Sequence, residues 1–500
     1  MLSVTVLGDF IGGKFVRPPG ARHKIVSRDP GDVGYRIGAF PTYPEHVSQA
    51  VAAAVAAQPS WAALEPADRA NWLRKFAAEV VNRRRELRDT IAAETGKPLY
   101  DSEEEVAEME AQAEIEIREG VRMVNPFRVS EIRHGVTGSC RFRPLGVIAV
   151  LGAAVSPLSL SCAHILPALL AGNSVVFKPS KLVPACGQRL ARMFDHIEIP
   201  PGVFNLVQGD AAAGSALAAH PEVAGVLFSG SYPTGRRILE ATLSQPHKLV
   251  ALHMGGLNVA LVLEDADLDR AIYETVCGAF LSAGQRHTST RLVIVAEAVF
   301  ERFAQAFVQT VSRLEVGYAF DPGVFLGPLL SESARDRALD MQERLGALGV
   351  KTLLRAEPRT LSRRGYYLSP GVYLLERGPE RERFQPDGLF FGPQVALLPA
   401  ATDEEALQLA NRTQSGFAAA VFTRDGRRFE EIAAQLRYGV INHNLGTADV
   451  SMRLPLAGAG RCGNHRPGGI FNQRNCTQPV ASLLSGAGAE REARRRPFPR

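Results

Sequence analysis

Two short stretches end apolar runs with residues that can hold a phosphate. Phe228-Ser229-Gly230-Ser231 follows the run Gly225-Val226-Leu227-Phe228 and precedes a stretch of helical spacing through Gly235-Arg236-Arg237-Ile238. A glycine there admits close approach of a ligand, a serine can donate to a phosphate oxygen, and the start of a helix favours an anion. Gly-Ser turns are equally at home in loops that bind nothing, and both readings stand at this point. Phe177-Lys178-Pro179-Ser180 also ends an apolar run. Lys178 reaches a ribose or phosphate in one reading and is a surface lysine in the other. No GxGxxG fingerprint follows the first strand. A dinucleotide would therefore sit at the carboxyl ends of strands, facing a helix N-terminus. The six cysteines, Cys140, Cys162, Cys186, Cys277, Cys462 and Cys476, have neither metal-ligand nor disulfide-framework spacing. They read as reduced thiols used as small core residues.

The elements that must position these residues are visible as periodicity. Val47, Val51 and Val55, then Trp72, Leu73, Phe76 and Val80, recur at helical spacing over residues 46–90, and Thr95-Gly96-Lys97-Pro98 breaks the pattern. A second helical stretch runs from about Ser102 to Glu119. From residue 143 onward, short apolar runs alternate with helical ones. Strands are expected at 147–151, 174–177, 203–207 and 225–228, with helices at 163–170 and 185–194. The alternation restarts at Val259-Ala260-Leu261-Val262-Leu263 and continues past Arg291-Leu292-Val293-Ile294-Val295. Strands alternating with helices imply an α/β fold built on doubly wound parallel sheets.

With 500 residues, of which 46% are hydrophobic and 22% charged, the chain can bury a large core. A net charge of +5 does not call for nucleic acid, and no apolar run is long enough to span a membrane. The N-terminus shows no signal-peptide apolar region, so a cytoplasmic protein is expected. The Gly/Ala-rich and then basic stretch 485–500 reads as a solvated, disordered tail, or as a contact for an anionic partner.

Taken in order along the chain, further motifs resemble the aldehyde dehydrogenase superfamily. They are Glu94-Thr95-Gly96-Lys97-Pro98, Leu166-Pro167-Ala168-Leu169-Leu170-Ala171-Gly172-Asn173, Phe177-Lys178-Pro179-Ser180 and Asn205-Leu206-Val207-Gln208-Gly209 in the first half. Phe228-Ser229-Gly230-Ser231, Met254-Gly255-Gly256, Glu264-Asp265-Ala266-Asp267, Phe391-Gly392-Pro393 and Gly439-Val440-Ile441-Asn442 continue the series. The resemblance spans roughly residues 8–484. Ala283-Gly284-Gln285-Arg286, Gly463-Asn464-His465-Arg466-Pro467 and Pro479-Val480-Ala481-Ser482-Leu483 are most similar to N-succinylglutamate 5-semialdehyde dehydrogenases.

The resemblance implies the aldehyde dehydrogenase fold. A Rossmann-like dinucleotide-binding domain would take residues 1–123 and 143–252, and a catalytic-type α/β domain residues 253–443. A small β oligomerisation element at 124–142 and 471–484 would make a homodimer or homotetramer. The adenosine and pyrophosphate end of NAD or NADP would contact Lys178, Ser180, Gly209, Gly230 and Ser231.

The chemistry the resemblance implies needs a thiolate nucleophile, an oxyanion-binding asparagine with a backbone N–H, a water-activating glutamate and a nicotinamide hydride acceptor. The thiolate position falls on His287, the glutamate on His253 and the asparagine on Val155. The glutamate that grips the nicotinamide ribose falls on Leu389, and an adenosine-ribose glutamate on Lys181, whose charge favours NADP. Cys277 is ten residues from His287.

From these changes the sequence leads to the expectation of a pseudoenzyme with a binding or scaffolding role, possibly beside another pathway protein. Its dinucleotide binding would be weakened or lost. One alternative is a repurposed enzyme using His253 and His287 as an acid/base pair on a small carboxylate-bearing substrate. Another is residual oxidoreductase activity without a covalent thioester. Two imidazoles also suit zinc, but no third ligand is visible, so no metal is expected. A carboxylate ligand would meet Arg286 and Arg466, or both arginines instead form structural ion pairs.

Overall fold

Residues buried on both faces of a strand must be apolar throughout, and Val147–Leu151, Ser174–Lys178 and Val223–Gly230 meet that condition almost completely. In the computed structural model these runs lie side by side. The structure describes residues 4–21, 23–133, 135–378, 381 and 391–485. Leu389 and the tail 486–500 lie outside the described residues.

The first seven-stranded sheet has the spatial order Leu249–Met254, Val223–Gly230, Val147–Leu151, Ser174–Lys178, Phe204–Leu206, Asp9–Ile11, Lys14–Val16. Its first five strands are parallel, and the last two form an antiparallel edge. Register brings the functional ends together. Leu151 pairs with Phe228 and with Lys178, while Ser229 pairs with His253 and Gly230 with Met254. The expected helices are present as Ser159–Leu170 and Pro184–His196. The N-terminal helical region resolves into His46–Ala62, Pro66–Asn82, Arg84–Thr95 and Leu99–Arg118.

The second seven-stranded sheet runs Lys351–Leu354, Gly371–Leu374, Gln394–Ala400, Thr290–Ala296, Asn258–Val262, Ala418–Phe422, Val440–His443. Only Lys351–Leu354 is antiparallel to its neighbour. Each sheet has its own apolar cores, for example Phe76, Phe177, Phe194 and Phe204 on the first and Phe280, Phe303 and Phe307 on the second. The chain crosses from one sheet to the other in the three residues Gly255, Gly256 and Leu257.

A separate three-stranded antiparallel sheet joins Phe127–Arg133, Val136–Pro144 and Thr477–Ser485. Part of the strand expected at 471–484 is instead a helical turn, Asn472–Asn475, which tucks against the first core. Asn472 donates to the carbonyl of Ala163 at 2.7 Å, and that side-chain bond holds the turn. The hairpin of His23–Asp29 and Asp32–Thr42 has no counterpart in the sequence reading. Among the described residues, no helix is long and apolar enough to cross a membrane.

Candidate active site

A cavity of about 720 Å³ lies between the two sheets. Its walls include Val155, His164, Gly230, Ser231, His253 and His287. The fold thus gathers residues from the carboxyl ends of the first sheet and from the segment that precedes strand Thr290–Ala296.

The backbone beneath His287 has an unusual shape. Ser282, Ala283 and Gly284 stand consecutively in the left-handed region, at φ 53°, 52° and 64°. Left-handed non-glycine residues cost about 1–3 kcal/mol each and persist only where surroundings over-determine them. Here they do. Ser282 Oγ donates to Asp101 at 2.7 Å, and Arg286 bonds both Ser282 Oγ and Asp101. Arg291 donates to the carbonyls of Gly284 and Gly392. Asn258 Nδ2 donates to the carbonyl of His287 at 2.9 Å. A Cβ at Gly284 would overlap the Gly392 carbonyl oxygen, so this position must be glycine.

Behind this turn lies a buried charge cluster. Lys97 Nζ is 2.7 Å from Glu105 and 3.7 Å from Asp101, and it donates to Ser156 Oγ at 3.2 Å. Glu105 in turn accepts the backbone N–H groups of Leu158 and Ser159. The cluster therefore ties the segment carrying Val155 to the turn carrying His287. Arg286 bridges Asp101 and Glu104 at 2.7 and 2.9 Å. Its guanidinium is committed to these carboxylates rather than free for a ligand.

The His287 ring itself is lightly held. It makes an edge contact with Phe417, 4.9 Å between centroids. Burial first, then Arg286, His253 and Lys97, push its pKa down to about 4, so the ring is neutral at physiological pH. Among the described residues nothing accepts the backbone N–H of His287. His253 is held differently. Its Nε2 lies 2.8 Å from the carbonyl oxygen of Arg466, which can only accept, so the proton is on Nε2. Its ring stacks on His164, and burial lowers its pKa. The strand beneath it is clipped by Asn464, which bonds both Leu252 N–H and the Val250 carbonyl.

His253 and His287 thus face one cavity from opposite sheets, without a hydrogen bond between them. Among the described residues no cluster has the makings of a metal site. Val155 brings only methyl groups to the cavity wall.

Gly230 and Ser231 open onto the cavity at the start of helix Tyr232–Thr242, and Ser231 Oγ is 3.1 Å from Thr234 Oγ1. Gly230 has the Phe228 ring against it where a Cβ would go. Lys178 is buried and donates to the Gly209 carbonyl at 2.9 Å. Burial, and secondarily Lys181, lower its pKa to about 8. Ser180 accepts from Leu182 N–H at 3.3 Å, and Lys181 is exposed. Lys178, Ser180, Lys181 and Gly209 form a group beside the cavity rather than in its wall, and Arg466 is exposed. The sequence reading missed His164, Arg337 and Arg461. Arg337 lies over the Phe391 ring at 4.5 Å and Arg461 over Tyr232 at 5.4 Å, both in the cavity wall. A basic residue one or two turns from a motif gives no signal until the fold places it.

Two largely parallel sheets, with a strand-end glycine-serine turn on one and a left-handed turn beside the other facing one cavity, make up the aldehyde dehydrogenase fold. The chain belongs to the aldehyde dehydrogenase family, whose sequence profile matches residues 20–481. It is 36% identical over 478 residues to the N-succinylglutamate 5-semialdehyde dehydrogenase of Paraburkholderia xenovorans (strain LB400), covering 95% of this chain and 96% of that protein. Lactaldehyde dehydrogenase from Escherichia coli superposes with a TM-score of 0.89 at 28% identity, over 96% of this chain and 99% of that one. PnpE from Pseudomonas sp. WBC-3, solved in complex with nicotinamide adenine dinucleotide, superposes with a TM-score of 0.90 at 28% identity, over 96% and 98%.

These relatives overturn the expectation of a pseudoenzyme. A protein more than one third identical along nearly the whole chain carries a dehydrogenase name, and nothing in the structure shows that catalysis is lost. Replacement of single side chains changes which atoms face the substrate. It leaves the cavity, a neutral nitrogen at position 287 and a backbone N–H without a partner among the described residues in place.

Proposed function

We propose that the chain oxidises the aldehyde of a small carboxylate-bearing semialdehyde with NAD(P), the reaction class carried in the names of its N-succinylglutamate 5-semialdehyde dehydrogenase relatives. The observation that carries this reading is the neutral, loosely held His287 ring above a rigid turn in the wall of the cavity. A neutral imidazole has a lone pair on one nitrogen, and histidine is a competent covalent nucleophile. Attack on the aldehyde carbon forms a C–N bond, and the carbonyl oxygen becomes an oxyanion beside the backbone N–H of His287. The other ring nitrogen gives up its proton to water in the cavity, the one proton the overall oxidation releases. When bound, the nicotinamide supplies the hydride acceptor. The resulting acyl-imidazole is cleaved by water, which releases the carboxylic acid and the free ring. Val155 donates nothing to the oxyanion, and one missing donor costs about a hundred- to a thousand-fold in turnover. Slow turnover is therefore part of the reading.

The cofactor's phosphates would meet Ser231, Gly230 and the amides at the start of helix Tyr232–Thr242. Arg337 adds positive charge on the facing wall. Lys181 lies close enough to depress the pKa of Lys178, and a ribose 2′-phosphate there would relieve that repulsion, which favours NADP. The substrate's carboxylate would pair with Arg461, with exposed Arg466 nearby in sequence, rather than with the committed Arg286. Phe127, Val129, Ile132, Leu483 and Leu484 leave the three-stranded sheet with exposed apolar side chains, suited to a homo-oligomer contact.

The test is formation of reduced nicotinamide from N-succinylglutamate 5-semialdehyde with NADP and NAD, together with hydroxylamine trapping of the acyl group. Turnover with hydroxamate formation supports the reading. A folded protein that reduces neither cofactor with this or other carboxylate-bearing aldehydes sinks it.

A further inference from the structure

His164 is a part of the cavity that the oxidation derived above leaves unused. It sits on the apolar helix Ser159–Leu170 and is only 2% exposed. Its Nε2 lies 2.8 Å from Ser229 Oγ, and its Nδ1 is buried without a partner. A residue that merely filled space on this helix would be apolar, because an unpartnered buried polar atom destabilises the fold. The His164 ring lies on the His253 ring, with 4.9 Å between centroids and 30° between planes. Ser229 and His253 are register partners on adjacent strands, so one pair of strands carries both the anchor of His164 and the ring it supports.

The other side of His253 is equally constrained. A methyl group at Gly468 would lie 2.7 Å from its Cε1 and 3.1 Å from its Nδ1. With Nε2–H committed to the Arg466 carbonyl, Nδ1 is left as a lone pair. The titratable groups facing His253 are His164 from the helix and His287 from the second sheet.

We infer that His164 is a positioning residue for His253. Anchored by Ser229, it is the platform that fixes the plane of the His253 ring and presents its Nδ1 lone pair to the water that releases the acid. The inference rests on the oxidation proposed above. In that step the water oxygen bonds to the acyl carbon while its proton passes to His253 Nδ1, and the C–N bond to His287 breaks. The His253 cation then keeps its Nε2–H on the Arg466 carbonyl and passes the Nδ1 proton, directly or through water, to the departing His287 nitrogen, which restores the neutral ring. Two stacked imidazoles disfavour a second charge, so His164 stays neutral throughout and does not divert the proton.

The full-length chain tests this with His164→Ala, which removes the platform, and His164→Phe, which keeps a ring but no nitrogen. The readouts are kcat, KM and the NMR titration of the His253 ring. His164→Ala is expected to lower kcat about 10–100-fold at unchanged KM, the lower end of what a misplaced general base costs. His164→Phe is expected to recover kcat to within about threefold with little change in the His253 titration, whereas His164→Ala should move that titration upward, since burial is what lowers it and the covering ring is gone. Alanine and phenylalanine variants that keep the wild-type kcat and His253 titration, with only a lower Tm, overturn the inference. If the wild-type protein oxidises no aldehyde, the oxidation fails, but the His253 titration in the two variants still reads the coupling of the rings.

Discussion

Two imidazoles reach the same cavity from opposite sheets, and they are held in opposite ways. At His287 the backbone is clamped and the ring is loose. Three left-handed residues are locked by Asp101, Arg286, Arg291 and Asn258, while among the described residues the ring makes no hydrogen bond and packs against the edge of Phe417. At His253 the backbone is an ordinary parallel strand and the ring is clamped, between His164 and Gly468 with Nε2 on the Arg466 carbonyl. A group that must bond to substrate and then release it needs a fixed base and a free tip. A group that must face a water in one orientation needs a fixed tip. The contrast divides the two roles more sharply than residue type could, since the residue type is the same.

The sharpest break is His287→Ala. Turnover of the aldehyde is expected to fall by about four orders of magnitude or more, as for loss of a covalent nucleophile. Stability in urea should change by less than about 1 kcal/mol, because the ring makes one edge contact. Retained turnover would return the nucleophile to another group. Asp101→Ala attacks the clamp instead. It strips a buried carboxylate from Lys97, Arg286 and Ser282, and the uncompensated cations should cost about 3–5 kcal/mol in urea unfolding. Gly284→Ala forces a Cβ into the Gly392 carbonyl at φ 64° and should cost about 2–3 kcal/mol. Gly468→Ala presses instead on the His253 ring and should lower kcat more than stability, by about tenfold. The smallest effect is that of pH. The neutral His287 ring is the reactive form, so kcat/KM should be flat near neutrality and fall to about half its plateau near pH 4. The same sign holds for stability. A histidine depressed in the fold contributes stability above its unfolded pKa of about 6.5 and loses it as pH falls towards about 4. Removing the ring should flatten that limb of a stability-versus-pH curve.

Much of this was legible in the sequence. The alternating runs from Val147 to Phe228 and from Val259 to Val295 became strands of the two sheets, because residues buried on both faces leave an uninterrupted apolar signature. The turn at Gly230-Ser231 and the histidines at 253 and 287 line the cavity. Arg286 did not behave as a ligand-binding residue, because its carboxylate partners Asp101 and Glu104 are nearly two hundred residues away and no local pattern ties them to it. His164 carried no signal at all, being one polar residue in an apolar helix. The inference from missing side chains to missing activity failed for a related reason. A motif records which atoms a family uses, whereas competence depends on what neutral, reachable groups the cavity still presents.

The sequence alone determined the family, the two largely parallel sheets and which side chains stand at positions 155, 253 and 287, because each is written in local runs and short motifs. Only the tertiary structure decided that the His287 ring is free and the His253 ring is held. Those states are set by Asp101, His164, Arg466 and Gly468, which reach the histidines across the fold rather than along the chain.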